Sequence, residues 1–398
     1  MVLMRALAFT LSACVATLFA SLTPEKVAGT FAGKVPATFS GSRVTVAPLP
    51  DGGIQPQAAI DASGVIHVVY FTGTPSGGDL YYVKLRADGS RASAPVRVNS
   101  IAGSALATGS VRGAQMALGR NGRIHVAWHG SRPTTGMNPS TTPVWYTRST
   151  DGLTFNPQRP VSGSSQGIDG GSVAADRSGH VAVVWHALGS TPGEDHRTVY
   201  LTQSADDGAT FTAAAPATSA PVGACGCCGL RATFDRSGIL HVLYRAATGG
   251  NHRDTTWLMV HGTTPRAPIR VHPWELESCP MSTFAVVEGP DGRLDAAWET
   301  AQQIYSTTLD PATGKVGEIA ALPGSGIRKH PSVAVNQAGD RLIAWTEGTG
   351  WNRGGTLAWR LTDRTGNELG AEAQAGPVPV WGLVSAVPLS NSSFLILR

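Results

Sequence analysis

The chain has 398 residues, 15% of them charged and 42% hydrophobic, with 48 glycines and 26 prolines. That much apolar material excludes a disordered chain, which pairs low hydrophobicity with high net charge. A formal net charge of +4 with no Lys/Arg-rich run excludes a basic nucleic-acid face, which needs clustered phosphate-neutralising charge.

At the N-terminus, Arg5 precedes an apolar run from Ala6 to Ala20. The run is too short to span a bilayer and small residues follow it, so residues 1–21 read as a secretory signal. The mature chain, 22–398, is expected to be a periplasmic or secreted monomer with no transmembrane span. Leu11-Ser12-Ala13-Cys14 also fits a lipoprotein box that would anchor the chain at Cys14, although Val15 to Phe19 stay apolar where such chains turn polar. Export leaves Cys225, Cys227, Cys228 and Cys279 in an oxidising compartment.

Beyond the leader one pattern recurs: a short apolar strand, a turn ending in Gly, and a second strand ending in an aromatic. It runs from Ala58 through Gly64 to Tyr70, from Gln115 through Gly122 to Trp128, and from Ser172 through Gly179 to Trp185. It returns from Arg231 through Gly238 to Tyr244, Thr283 through Gly292 to Trp298, and Ser332 through Gly339 to Trp345. Further strand-like runs follow each copy, among them Leu80 to Leu85, Pro95 to Val98, Val144 to Arg148 and Val199 to Gln203. Four strands in a repeat of roughly fifty residues is the arithmetic of a β-propeller blade. The expected fold is therefore all-β, a single propeller domain. Val384 to Leu389 and Phe394 to Leu397 read as a seventh inner hairpin, so seven blades are expected, with six as the alternative. Val35 to Phe39 and Arg43 to Pro48 are placed to supply the missing outer strands and close the ring.

Ser204-Ala205-Asp206-Asp207-Gly208-Ala209-Thr210-Phe211 matches the Asp-box of sialidase-type propellers, and Ser149 to Phe155 resembles a shortened copy. The chain also resembles a group of exported bacterial sialidase-like proteins with a Cys-x-Cys-Cys run, here Cys225-Gly226-Cys227-Cys228, and a later Cys-Pro, here Cys279-Pro280. The resemblance implies a sialidase-like propeller and no firm activity. A sialidase is expected to open its first blade with an Arg-Ile-Pro motif; Ile54-Gln55-Pro56-Gln57 stands there instead.

Propeller topology sends inter-blade loops, and loops from second to third strand, to one rim. That rim collects the cysteines, Arg112, Asp169, Lys329 and His330, together with His129, His186, Arg245 and Glu299 after the second-strand aromatics, and Arg253 beyond them. Cys225, Cys227, Cys228 and Cys279, completed by a histidine such as His330, suit a soft metal, copper or zinc. The alternative is disulfides among them, including a vicinal Cys227–Cys228 bond. Arg112, Arg245 and Arg253 offer an anion clamp, Glu299 and Asp169 a general acid/base pair, and His129 and His186 ligand or proton-transfer roles. Trp351 and Trp381 offer stacking surface. His67, His125 and His241 recur at one strand position and read as structural hydrogen-bonding groups. Three functions follow: a rim ligand site taking a soft metal, a sialidase-type hydrolase of anionic glycans, and a disulfide-stabilised interaction scaffold.

Overall fold

The computed structural model describes residues 43–109, 112–131, 142–218, 222–370, 373–390 and 392–398. The leader, Cys14 and the expected strand at Val35 to Phe39 lie outside the described residues. Within them are seven sheets, antiparallel except for one strand pair, and no α-helix.

Blade 1 comprises Ile54–Ile60, Ile66–Thr74, Gly77–Leu85 and Val96–Arg97. Blade 2 follows with Gln115–Leu118, Ile124–His129, Val144–Ser149 and Arg159–Pro160, and blade 3 with Asp169–Ala175, Val181–Ala187, Thr198–Ser204 and Ala215–Pro216. Blade 4 is Arg231–Phe234, Ile239–Arg245, Thr255–His261 and Thr264–Pro265, with Ile269–His272 also paired to its third strand. Blade 5 is Phe284–Glu288, Leu294–Thr300, Gln303–Asp310 and Lys315–Val316, with Ala320–Ala321 added likewise. Blade 6 is Arg328–Val335, Arg341–Glu347, Gly355–Thr362 and Ala373–Val378. Blade 7 joins Ser385–Pro388 and Phe394–Leu397 to the N-terminal strand Val44–Ala47. Seven blades are thus present, and the first strands of successive blades meet around a central tunnel.

The N-terminal strand closes the ring, but it runs parallel to its neighbour, as third strand of blade 7. The exchange therefore differs from the antiparallel pairing inside the other blades.

Local chemistry explains why each inner hairpin forms. Asp61, Asp176 and Asp235 each accept backbone N–H groups two and four residues ahead through Oδ1, at 2.8–3.0 Å. Asn336 does the same in blade 6. The glycine that ends each of these turns has φ between 82° and 96°, the left-handed region that costs other residues energy.

In blades 1 to 6 the second strand then buries an aromatic near its end: Tyr70, Trp128, Trp185, Tyr244, Trp298 and Trp345 are all at most 1% exposed. Blades are also stitched at the axis. Ser172, Ser332 and Ser385 each accept, through Oγ, the backbone N–H of the next blade's inner strand: Ala232 at 3.0 Å, Ala386 at 2.9 Å and Ala58 at 3.1 Å.

The Asp-box sequence folds into a closed turn. Ser204 Oγ accepts Gly208 N–H at 2.8 Å, and Asp206 accepts Thr210 N–H at 2.8 Å and Thr210 Oγ1–H at 2.6 Å. Phe211 packs edge-on against Tyr146 of the preceding blade, ring centroids 4.8 Å apart. In the shortened copy Phe155 meets Tyr82 in the same way. Asp207 N–H reaches the Gly179 carbonyl at 2.8 Å, so the Asp-box shares a face with the inner-hairpin turns, away from the cysteines.

Candidate functional site

The cysteine-bearing rim holds a cavity of about 550 Å³ over blades 5, 6 and 7. Its walls come from the loop into blade 5 (Trp274, Cys279 and Met281), the hairpin turn Ala301-Gln302, the entry to blade 6 at Lys329 and His330, and Trp351, Arg353 and Trp381. Five of its lining residues, Met281, Ala301, Gln302, His330 and Trp381, have φ between 48° and 64°. Non-glycine residues rarely adopt this conformation, and such strain concentrates at ligand sites. Trp351 is 45% exposed and meets Trp381 at 6.1 Å with an interplanar angle of 67°.

Glu299 forms the polar floor. It is 1% exposed and stands one residue before the end of the second strand of blade 5. The tight turn after it directs the Gln302 N–H onto Oε1 at 2.7 Å, while Oε2 is buried with no hydrogen-bond partner. Burial raises its carboxyl above the ordinary value, against the opposing pull of Lys329. Lys329 donates to the Pro280 carbonyl at 2.6 Å. Glu299 is the one carboxylate among the described lining residues, whereas Lys329 and Arg353 bring two cations.

The other expected site residues lie elsewhere on the rim. Asp169 does not face Glu299 across the cavity: it takes a two-pronged contact from Arg112, at 2.7 Å to Nε and 3.3 Å to Nη2. Arg253 donates to Glu194 at 2.9 Å. Arg245 is buried between blades 4 and 5, where it donates to the Arg253 carbonyl at 2.8 Å, to Ser282 at 3.1 Å and to the Glu299 carbonyl. Its guanidinium lies 4.9 Å from the Trp274 ring centroid and so supports the cavity wall from behind. No common anion clamp forms from the three arginines.

His186 is fully enclosed. Its Nδ1 accepts from Arg197 at 3.0 Å, which leaves Nε2–H to donate to the Cys228 carbonyl at 2.9 Å. His129 is also buried, with Nε2 2.7 Å from Thr142 Oγ1. Desolvation holds both imidazoles down at about 4, so both are neutral at pH 7. His330 lies between cavity and tunnel, 3.3 Å from Thr283 Oγ1, and burial lowers it to about 3.

Cys225, Cys227 and Cys228 converge in the loop into blade 4, with all three sulfurs within 4.8 Å of one another. The Cys225 and Cys227 sulfurs are 3.3 Å apart, and Cys228 Sγ is 3.4 Å from Ser282 Oγ. Burial pushes the Cys228 thiol up, but the thiols of Cys225 and Cys227 and the Arg245 guanidinium outweigh it and hold the group well below its ordinary value. Cys279 stands apart, exposed at the cavity edge, and no disulfide joins any of the four. The expected four-cysteine cluster is therefore a group of three. Cys225, Cys228 and Ala247 form a small apolar cluster with Cys227 against it.

Sequence reasoning missed Trp274 and Gln302 in the cavity wall. Trp274 carried a visible signal, a Pro-Trp pair in an inter-blade loop; the left-handed turn at Ala301-Gln302 carried none, because neither residue type favours it.

Together these features define a seven-bladed β-propeller with a cavity of about 550 Å³ on one rim. Among solved structures it is similar to the α-L-arabinanase of Penicillium chrysogenum in complex with arabinobiose (14% identity, TM-score 0.51, covering 80% of this chain and 95% of that one). It is similar to an α-L-arabinofuranosidase from Fusarium graminearum in complex with an iminosugar inhibitor (11% identity, TM-score 0.50, 82% and 98%). A third likeness is to the fucose-specific lectin of Aleuria aurantia (11% identity, TM-score 0.50, 82% and 96%). At these identities the likeness is one of fold, the sialidase-like propeller. No family model and no curated protein matches the chain.

Proposed function

We propose that this protein binds an acidic glycan in the cavity over blades 5, 6 and 7. The observation that carries the reading is the cavity wall itself: tryptophans at the edge, two cations, and one buried carboxyl with an unpartnered oxygen. Sugar rings present apolar faces that stack on such aromatics, and Lys329 and Arg353 would receive a carboxylate or sulfate. Glu299 in its protonated form would donate a hydrogen bond from Oε2. The two glycosidases and the lectin of like fold act on or bind sugars, which supports the same class of ligand. Hydrolysis by the usual mechanism needs two carboxyl groups flanking the bond. Glu299 has no such partner among the described cavity residues, so the reading is binding rather than turnover. The chain is read as acting after export, on the strength of its N-terminal apolar run.

A glycan array, followed by titration of tryptophan fluorescence, tests this. Trp351→Ala is expected to weaken binding roughly fivefold to tenfold, the worth of about 1 kcal/mol of aromatic contact. Lys329→Ala should weaken acidic ligands and leave neutral ones unchanged. Loss of neither would remove the cavity assignment, and turnover abolished by Glu299→Gln would make the protein an enzyme.

A second reading rests on the three convergent sulfurs. Cys225, Cys227 and Cys228 fit a soft monovalent metal, Cu(I), which accepts three thiolates without a fourth ligand. Titration of reduced protein with Cu(I) against a chromogenic chelator should show one ion per chain, and Cys227→Ser should lose it with the fold retained. Absence of free thiols in denatured, unreduced protein would assign the cysteines to cross-links instead.

A further inference from the structure

Opposite in character to the rim cavity is the tunnel at its centre, a space of about 100 Å³ to which all seven blades contribute. Arg231, from the inner strand of blade 4, projects into it. Its Nη1 donates to the side-chain carbonyls of Gln57 and Gln115. Neither contact neutralises the charge, and no carboxylate lines the tunnel among the described residues. A guanidinium keeps its proton in any protein environment; Arg231 is half-buried in the tunnel wall, and a charge partly withdrawn from water without a counter-charge is costly.

Several side chains around Arg231 have unused donors. Gln57 and Gln115 direct Oε1 at the arginine, because a guanidinium only donates, so both amide NH₂ groups remain without a protein acceptor among the described residues. Ser332 and Ser385 also line the tunnel and already accept a backbone N–H through Oγ, which leaves their hydroxyl hydrogens to donate. Nε and Nη2 of Arg231 likewise have no acceptor among the described residues. Arg231, Gln57, Gln115, Ser332 and Ser385 thus have donors to spare around one unpaired positive charge.

We propose that the tunnel holds a small monovalent inorganic anion, of chloride size, bound by Arg231 with Gln57 and Gln115. A space of this size admits a halide with its residual hydration. The anion supplies the missing counter-charge at the point where all seven blades meet, so its binding is linked to the stability of the ring.

Chloride is the probe. Thermal unfolding of the full chain is compared in sodium chloride and in sodium gluconate at equal ionic strength, since gluconate is a much larger anion of the same charge. The midpoint is expected to rise saturably with chloride, by roughly 3 °C or more. The folded wild-type protein should also broaden the ³⁵Cl resonance, and bromide should compete. Arg231→Met should abolish both effects; if that variant does not fold, the ³⁵Cl competition on wild type decides alone. Identical midpoints in the two salts with no excess linewidth would overturn the proposal. So would an Arg231→Met protein that folds and keeps the chloride effect.

Discussion

His67 and His241 occupy equivalent strand positions and make equivalent bonds. Nε2 meets the turn carboxylate, Asp61 at 3.1 Å or Asp235 at 2.9 Å, which leaves Nδ1 to accept from Tyr82 Oη–H at 2.8 Å or Trp257 Nε1–H at 3.1 Å. His125 varies the scheme, taking Tyr146 at 2.7 Å on Nδ1 with Asp207 at 3.5 Å from Nε2. Repetition at one register position made their structural role legible from the sequence. His129 and His186 gave no such signal. They follow the aromatic that ends the second strand, and a sequence cannot show that later loops cover that position. Their burial has a consequence in acid. Both are held near 4 by desolvation, against about 6.5 when unfolded. Between those values the unfolded chain binds protons that the native protein does not, so stability falls as pH drops from about 6.5 towards 4. Each histidine contributes up to about 1.4 kcal/mol per pH unit in that window. Urea unfolding at pH 7.5, 6 and 5 should show this decline, and His129→Gln should reduce its slope by about one proton. A slope unchanged in the variant would mean that His129 titrates normally in the folded protein.

Among the elements, the inner hairpins were the most legible, because Asp-x-Ser-Gly turns and buried terminal aromatics are local devices written in adjacent residues. The entries to the inner strands were not. Pairing registers shift between Ile54 and Gln57, Asp169 and Ser172, and Lys329 and Ser332, with φ of 55°, 58° and 58° at Gln55, Gly170 and His330. Only one of the three is glycine, so residue type gave no warning of these bulges. They matter for the site because a bulge re-aims the side chains before it. Lys329 and His330 sit at such a bulge and line the cavity, whereas Asp169, at the matching bulge in blade 3, turns to Arg112. Loop topology assigned these residues to one rim, but which of them meet depends on bulges and ion pairs between blades. The arginine–carboxylate pairs show the same limit, since Arg112 and Asp169, or Glu194 and Arg253, are distant in sequence and join separate blades.

Closure governs the whole molecule. Blade 7 is built from both ends of the described chain, with Val44 opposite Phe394 and Ala47 opposite Leu397. Phe394 N–H donates to the Arg43 carbonyl at 2.7 Å and Leu49 N–H to the Arg398 carbonyl at 2.9 Å, and Arg43 pairs with Asp340 of blade 6. A propeller has no helical layer to hold it shut, so its stability is that of the weakest contact around the ring. Val44 is 7% exposed and packs in one cluster with Leu342, Val384 and Phe394. An aspartate there would bury an unpaired carboxylate at the junction of blades 6 and 7. Val44→Asp is therefore expected to destabilise the protein by about 3 kcal/mol or more, whereas Thr45→Asp, half-buried next to it, should cost about 1 kcal/mol or less. The loss should lower the midpoint of the entire unfolding transition, read together by tryptophan fluorescence and far-UV circular dichroism. Eight of the ten tryptophans lie in blades 2 to 6 and the other two, Trp274 and Trp381, in loops between blades, so a fluorescence midpoint unmoved by Val44→Asp would show that the strand frays alone and that the other six blades hold without it.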